Sequence, residues 1–359
     1  MRLYVATLAL SLACSGIADR ADDIVNAEMK AQKIPGATIV ILRDGKPVKI
    51  KGYGFSNLEL GVPASPSTIY QSGSIGKQFT ATLVLMLAHD HVFNLDDPIS
   101  KWLTEGGDAW KGVTIRHLLS HTSGLPDAPY GKMDMRKDYT EADLAKLIAS
   151  TPPPKAPGTE WRYNNGGYVL LGVLIHRATG KFYGDLLKEM IFGPLGMKTA
   201  RVIDDSDIIP NRAAGYVLLN IGLVNQSWVS PSLNTTADGA LYLSAIDYAK
   251  WDAALYGSKL LPFTELEQAW TPSKLADGKV AGGIGFAYGF GWMIPSLVGG
   301  HHLVEHGGAW QGFTTYIGRC LDAKTTVVVL TNLDAGHSHP TKIGRKLLGL
   351  YVKGIPVPK

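Results

Sequence analysis

Cysteine is almost absent from this chain of 359 residues, which contains Cys14 and Cys320 and no others. Cys14 falls in an N-terminal segment that we expect to be removed, which leaves Cys320 without an intramolecular disulfide partner. Cys320 lies in a predicted strand, where a buried thiol is expected to pack as a small apolar side chain. We therefore predict a fold that does without disulfides.

Runs of like charge are also missing. The formal net charge is +4, and the charged residues, 18% of the sequence, are spread along its length. Without a basic stripe, nucleic acid is not an expected partner. Hydrophobic residues make up 45% of the chain, which is too many for a disordered protein and enough for a large core in one domain or two subdomains.

The one long apolar run stands at the N-terminus. Residues 1–18 have the pattern of a signal peptide, with a positive start, an apolar stretch and small residues at Gly16 and Ala18. The run is too short to span a bilayer as a helix, so we expect no transmembrane span after its removal. This pattern predicts a periplasmic or secreted protein. Lipid anchoring through Cys14 is the alternative, disfavoured because Leu12 is one place out of register for that motif.

The two ends of the chain both have a strand pattern. Residues 36–42 and 48–54 are β-rich and are separated by Asp44-Gly45, a strong hairpin signal. Near the other end, residues 312–318 and 325–331 form a second predicted strand pair. Helical patterns cover residues 24–31, 74–89, 139–150, 167–179 and 340–353.

This order of elements favours a mixed α/β (α+β) fold, an antiparallel sheet built from both chain ends with a helical subdomain inserted between them. We predict that residues 19–73 and 240–359 form the sheet subdomain and that residues 74–239 form the mainly helical one. The active site is expected between the two.

A nucleophile with an adjacent amine is suggested by Ser74-Ile75-Gly76-Lys77 at the start of a predicted helix. Positions i and i+3 share one helix face, so Lys77 can reach the Ser74 hydroxyl, which needs a nearby base to become a nucleophile. Free backbone N–H groups at a helix N-terminus suit an oxyanion. Taken alone, the motif is equally typical of an N-cap serine and a surface lysine.

Two further motifs also allow both a catalytic and a purely structural interpretation. Tyr163-Asn164-Asn165 offers a tyrosine that can serve as a general base and an amide that can bind substrate or lysine, but Asn-Asn-Gly-Gly is also turn chemistry. His306-Gly307-Gly308-Ala309 precedes the strand predicted from Gly312. Its glycines permit close backbone approach to a ligand, or simply a bend in a strand.

A different hydrolase fold is excluded by a motif that the chain lacks. An α/β-hydrolase needs Gly-x-Ser-x-Gly at a strand-to-helix turn. The residues around Ser74 are Ser72-Gly73-Ser74-Ile75-Gly76, and no such pentapeptide occurs elsewhere.

Together and in this order, the three motifs resemble those of the serine β-lactamase and penicillin-binding-protein superfamily, in particular its class C β-lactamase-like branch. That branch also holds family VIII carboxylesterases, D-aminopeptidases and D-Ala-D-Ala carboxypeptidases. The resemblance runs from about Ile24 to about Leu348. It includes segments outside the motifs: His117 to Leu125, Pro157 to Thr159, Tyr168 to Gly172, Gly193 to Met197 and Tyr288 to Trp292.

The resemblance implies a β-lactamase/transpeptidase-like fold and a role for each motif. Ser74 would be the nucleophile, with Lys77 and Tyr163 as its proton-transfer network and an acyl-enzyme on Ser74. Asn165 would orient substrate, and the backbone N–H groups of Ser74 and Ala309 would form the oxyanion hole, with Gly308 beside them. No cofactor and no metal are expected. The partner would be a small-molecule or peptide substrate.

One departure from the superfamily pattern bears on the substrate. Many members have Lys-Thr-Gly or Lys-Ser-Gly at the third motif, where a fixed cation and a hydroxyl hold a carboxylate. Here His306 is at best partly charged near neutral pH, and Gly307 has no hydroxyl. Carboxylic esters or D-amino-acid amides and peptides are therefore the expected substrates. A true β-lactamase or D-Ala-D-Ala carboxypeptidase is the first alternative, and a catalytically silent binding relative is the second.

Overall fold

A computed structural model describes residues 20–204, 206–226, 229–232, 235–296 and 298–358. The predicted signal peptide lies outside these residues. Within them, nine strands form one sheet with the order β3-β2-β1-β13-β12-β11-β10-β9-β8. Its strands are β1 Gly36–Arg43, β2 Lys46–Asn57, β3 Val62–Pro63, β8 Gly282–Gly283, β9 Phe286–Tyr288, β10 Met293–Pro295, β11 Leu303–Trp310, β12 Phe313–Cys320 and β13 Thr325–Thr331.

Both predicted strand pairs are confirmed. Asp44 and Gly45 form the β1–β2 turn with φ angles of 51° and 66°, the left-handed values that tight hairpins use. β1 is also antiparallel to β13, with Ala37 opposite Thr331. The middle of the sheet is thus formed by strands from the two ends of the chain, as the sequence predicts.

Helices cover the two faces of the sheet. On one face, residues 20–32 (α1) and Pro340–Tyr351 (α10) pack with β1, β12 and β13 in a core that includes Val25, Tyr316 and Leu347. The other face packs on a larger core around Phe79 and Trp251. Most of the other helices contribute to that larger core. The other helices are α2 Lys77–His89, α3 Ile115–Leu119, α4 Glu141–Ala149, α5 Asn165–Thr179, α6 Tyr183–Leu187, α7 Gly193–Leu195, α8 Ala245–Ala254 and α9 Phe263–Leu266.

Short elements connect these helices. A π-helical turn, Lys188–Phe192, separates α6 from α7. Two small sheets lie outside the main one, β4 (Ile69–Gln71) with β7 (Tyr242–Ser244), and β5 (Tyr216–Leu219) with β6 (Gly222–Asn225). Single 3₁₀ turns occupy Gly73–Gly76, Ile99–Lys101, Gly107–Trp110, Tyr130–Lys132 and Glu267–Trp270.

One sequence-based boundary is wrong, and one strand was not predicted. The helix predicted from Ser74 begins as a 3₁₀ turn, Gly73–Gly76, and becomes α-helical at Lys77. The third motif precedes the strand predicted from Gly312, which is β12, but His306 to Ala309 already lie inside a strand of their own, β11, whose signal is weakened by two adjacent glycines. The helix predicted over 167–179 is confirmed and ends at Gly180, which has φ 71°.

Among the described residues, no helix combines the length and the apolar character that crossing a membrane requires. Cys320 is buried in β12 as an unpaired thiol, as predicted.

Candidate active site

Lys77 stands at the centre of the site, on the first turn of α2 and completely buried. Its Nζ donates to Ser74 Oγ at 3.1 Å, to Asn165 Oδ1 at 2.8 Å and to the Asp238 carbonyl at 2.6 Å. A lysine ammonium has three N–H donors, and here each has an acceptor. The buried charge is therefore compensated, and Ser74 is held against it as the i, i+3 spacing predicts.

Tyr163 covers the same ammonium. Lys77 Nζ lies 5.1 Å from the centre of the Tyr163 ring and 5.3 Å from that of Tyr168, distances at which a cation is attracted by a ring face. The Tyr163 hydroxyl is buried and has no hydrogen-bond partner among the described residues. An unpartnered phenol on a ring packed against the Lys77 ammonium is available for substrate or for a proton.

Asn165 reaches Lys77 because of the residue before it. Asn164 is the N-cap of α5, and its Oδ1 accepts from Gly167 N at 2.7 Å while its Nδ2 donates to the Leu125 carbonyl at 2.8 Å. The Asn-Asn-Gly-Gly sequence is thus a helix start and not an isolated turn. It places Asn165 on the first turn of α5, facing Lys77.

Backbone groups of the 3₁₀ turn and of β11 meet beside Ser74. A Cβ atom on Gly308 would collide with Thr315 Oγ1 and the Ser72 carbonyl and would stand 3.1 Å from Ser74 N. Thr315 Oγ1 itself donates to the Ser72 carbonyl at 2.6 Å. Only a strand without a side chain at position 308 can approach the nucleophile this closely. The third motif therefore lies next to the first, as predicted.

His306, expected from the sequence to be at best partly charged near neutral pH, is neutral in the structure. Burial lowers its pKa to about 4, the hydrogen bond with the Gly307 carbonyl acts in the opposite direction, and the nearby Lys77 charge lowers the pKa further. The ring is therefore neutral at pH 7. Both of its nitrogens have protein partners, Nε2 with Tyr288 Oη at 3.0 Å and Nδ1 with the Gly307 carbonyl at 2.6 Å.

Two residues of the site were missed as functional candidates by the sequence reasoning. His121 Nε2 lies 3.1 Å from Tyr288 Oη, and its ring centre is 4.4 Å from that of Tyr163. Burial lowers the pKa of His121 well below its usual value, assisted by Lys77, and burial raises the pKa of Tyr288. Both residues belong to segments that carried the resemblance, which was the available signal.

Asp238 was also missed, and no motif in the sequence marks it. Its backbone carbonyl accepts from Lys77, while its carboxylate Oδ2 accepts from Tyr130 Oη at 3.0 Å. Burial raises the pKa of Tyr130, and the carboxylates of Asp238 and Asp127 raise it further. Asp238 thus connects the Tyr130 turn to the backbone that accepts from Lys77.

One group of side chains among the described residues has spacing that suits a metal ion, and it is not in this site. His301, Cys320 and Asp322 place their ligand atoms within 4.8 Å of one another. His301 Nδ1 and Asp322 Oδ2 form an ion pair at 2.6 Å. His89 and His91 are exposed, at the end of α2 and just beyond it.

The sequence is similar to that of known proteins along most of its length. The family model "Beta-lactamase" matches residues 21–350. Penicillin-binding protein 4* of Bacillus subtilis (strain 168) is 29% identical over 314 residues, covering 82% of this chain and 67% of that protein. D-aminopeptidase of Gluconobacter oxydans (strain 621H) is 28% identical over 306 residues, covering 83% of this chain and 56% of that protein. The chain thus spans between about half and two thirds of these curated relatives.

Solved structures share the architecture. The octameric penicillin-binding protein homologue from Pyrococcus abyssi is 30% identical, with a TM-score of 0.81 over 94% of this chain and 79% of that one. The similarity therefore extends over the sheet and the helices that cover it.

Proposed function

Because the chain belongs to the β-lactamase family, we propose that it is a serine hydrolase that acts through an acyl-enzyme on Ser74. The observation that carries this proposal is the buried Lys77 ammonium, hydrogen-bonded to Ser74 Oγ at 3.1 Å. Burying the Lys77 ammonium next to Ser74 costs several kcal/mol, so this arrangement does not serve the stability of the fold. Activation of a nucleophile accounts for that cost.

Lys77 and Tyr163 act as one proton-transfer pair in this proposal. The ammonium uses its three donors on Ser74, Asn165 and the Asp238 carbonyl, so in this state it has no lone pair for the serine proton. The Tyr163 ring lies 5.1 Å from it, and the Tyr163 hydroxyl has no hydrogen-bond partner among the described residues. We assign acceptance of the Ser74 proton, and its return to the leaving group, to this pair.

The tetrahedral oxyanion is assigned to the backbone N–H groups of Ser74 and Ala309. The 3₁₀ turn presents Ser74 N, and β11 passes against that turn where Gly73 and Gly308 lack side chains. Two preorganised N–H donors stabilise the charge that develops during acyl transfer. Asn165 and the third motif would hold the substrate along β11.

We assign the substrates to D-amino-acid amides or peptides and to carboxylic esters, as in the class C β-lactamase-like branch. A relative named D-aminopeptidase supports the amide class. A β-lactamase or D-Ala-D-Ala carboxypeptidase is the second candidate, supported by the penicillin-binding-protein relatives. The neutral His306 favours the first assignment, because a β-lactam or peptide carboxylate gains no ion pair from it.

The deciding experiment compares hydrolysis of short-chain p-nitrophenyl esters, a D-amino-acid p-nitroanilide, nitrocefin and a peptide ending in D-Ala-D-Ala. We expect kcat/KM to be higher for the neutral esters and the amide than for nitrocefin. Ser74→Ala should fold, lose all turnover and escape labelling by a fluorophosphonate. An adduct on another serine would refute the nucleophile. Efficient nitrocefin turnover with feeble esterase activity would show that another group holds the carboxylate.

We also propose that the protein is exported from the cytoplasm. The pattern of residues 1–18 supports a periplasmic or secreted location. Fractionation of cells expressing the full chain, with N-terminal sequencing of the exported product, tests it. Retention of an intact Met1 in the cytoplasmic fraction would refute it.

A further inference from the structure

Three buried polar side chains pack around the ring of Tyr163. The centroids of the rings of His121, His306 and Tyr288 lie 4.4, 6.0 and 6.4 Å from that of Tyr163. They come from three separate segments, the loop after α3, strand β11 and the end of β9. In the proposed reaction, His306 contributes only as part of the third motif, and His121 and Tyr288 have no direct role.

The hydrogen bonds among these side chains have a defined direction. The Asn164 N–H donates to His121 Nδ1 at 3.2 Å, so Nδ1 carries no proton. The neutral ring must then carry its proton on Nε2, which donates to Tyr288 Oη at 3.1 Å. The Tyr288 hydroxyl donates in turn to His306 Nε2 at 3.0 Å.

The far end of this hydrogen-bond chain agrees with the direction. Since His306 Nε2 accepts, its neutral ring carries the proton on Nδ1, which donates to the Gly307 carbonyl at 2.6 Å. Every donor and acceptor from Asn164 to Gly307 is then used. A second proton on His121 would face the Asn164 N–H, and one on His306 would leave the Tyr288 hydroxyl proton without its acceptor. Either proton would also be buried close to the Lys77 ammonium, which opposes further positive charge.

We propose that Tyr288 is a positioning residue, whose hydroxyl locks His121 and His306 in opposite tautomers and thereby fixes the ring of Tyr163 over Lys77. The backbone of His121 is consistent with a residue held by its side chain, because its φ of 59° is uncommon for a residue other than glycine. The groups that face the hydrogen-bond chain are Lys77, Tyr163 and Tyr168. This proposal rests on the proposed function only where turnover is the readout.

The first test needs no activity. Histidine-selective ¹⁵N spectra of the full-length protein at pH 7.5 should show His121 protonated on Nε2 and His306 protonated on Nδ1, with assignments from His121→Asn and His306→Asn. His306 should keep this form on titration down to pH 5.5. The opposite tautomer at either ring, or a doubly protonated His306 at pH 7.5, would overturn the proposal.

The second test removes the hydroxyl and keeps the ring. Tyr288→Phe should lower kcat by about 10²-fold with KM changed less than threefold, since a small displacement of a catalytic group costs this much. Tyr316→Phe is the matched control: its hydroxyl is equally buried, is bonded to Glu305 and belongs to the core on the opposite face of the sheet. It should leave kcat unchanged. A Tyr288→Phe protein with unchanged kcat would refute the positioning role.

The two tests also separate the proposals. The nitrogen spectra decide the hydrogen-bond chain even where no substrate is hydrolysed. The expected tautomers in a protein without hydrolase activity would refute the proposed function and leave the hydrogen-bond chain intact. If Tyr288→Phe does not fold, the spectra of the unmodified protein decide alone.

Discussion

Gly73 and Ala309 are packed so closely that a Cβ atom on Gly73 would lie 2.6 Å from the backbone nitrogen of Ala309. Gly73 also has φ 54°, the left-handed region that glycine adopts without strain. Gly73→Ala should therefore push β11 away from the 3₁₀ turn and separate the two proposed oxyanion donors. We expect kcat to fall by at least ~10²-fold, the usual cost of losing one such donor.

Gly61→Ala is the control for the backbone strain that a side chain causes at a positive φ angle. Gly61 has a similar φ of 61°, but nothing lies within 4 Å of a Cβ atom built there. Urea unfolding of both variants separates strain from the clash. Equal losses of kcat in the two variants would show that the contact with Ala309 has no part in catalysis.

Lys77 and Tyr163 should behave as one unit in mutant kinetics. Lys77→Ala and Tyr163→Phe are each expected to lower kcat by at least ~10²-fold, and the double variant should lose little more than either single one. The physical reason is that both groups serve the same proton on Ser74. A double variant whose loss equals the product of the two single losses would contradict a shared network.

Acidification should destabilise the fold before its carboxylates are protonated. The pKa of His306 is about 4 in the folded protein and 6.5 in the unfolded chain, so unfolding takes up a proton over this interval. The stability present above pH 6.5 is lost as the pH falls towards 4, by about 3 kcal/mol at completion. His121 acts in the same direction. His301, whose pKa is raised by Asp322, acts in the opposite direction.

Urea unfolding at pH 7.5, 6.5 and 5.5 measures this loss. His306→Gln should make the free energy of unfolding less dependent on pH over this range. An unmodified protein as stable at pH 5.5 as at pH 7.5 would show that the buried rings are not neutral in the folded state.

A buried ion pair joins α8 to the sheet. Arg319 Nε donates to Asp252 Oδ1 at 2.7 Å, with Thr326 Oγ1 on the same oxygen at 2.8 Å, and the side chains of Arg319 and Asp252 are 1% and 0% exposed. Asp252→Ala leaves the guanidinium buried without its counter-charge. We expect the free energy of unfolding to fall by about 3–5 kcal/mol.

Asp277→Ala is the comparison for this pair, because it removes the exposed partner of Lys279 at 2.7 Å. It should have no measurable effect on urea unfolding. If Asp252→Ala unfolded at the same urea concentration as the parent, the buried pair would contribute nothing to stability.

Residues that are neighbours in sequence were the predictable part of the site. The Ser74–Lys77 contact follows from helical spacing, and the β1–β2 hairpin follows from Asp44-Gly45. The role of Asn164 as an N-cap was obscured because the Asn-Asn-Gly-Gly sequence that it begins is equally typical of turns. A cap and a turn begin alike, and only the helical residues after Asn164 distinguish them.

Contacts between distant segments were not predictable from patterns. The face of β11 on which His306 lies depends on its pairing with β12, and two glycines concealed the strand. The meeting of His121 with Tyr288, like that of Lys77 with Asp238, brings together segments far apart in the chain. Such pairs leave no periodic signal.

The pairing of β1 with β13 also has a kinetic consequence. The Gly36–Arg43 strand pairs on one side with residues 325–331. Forming this pair closes a loop that contains most of the chain. Loop-closure entropy makes such high contact order slow, whereas the β1–β2 and β12–β13 hairpins pair residues close in the chain. We therefore expect the pairing of β1 with β13 to be a late and slow step of refolding, after the hairpins at the two ends have formed.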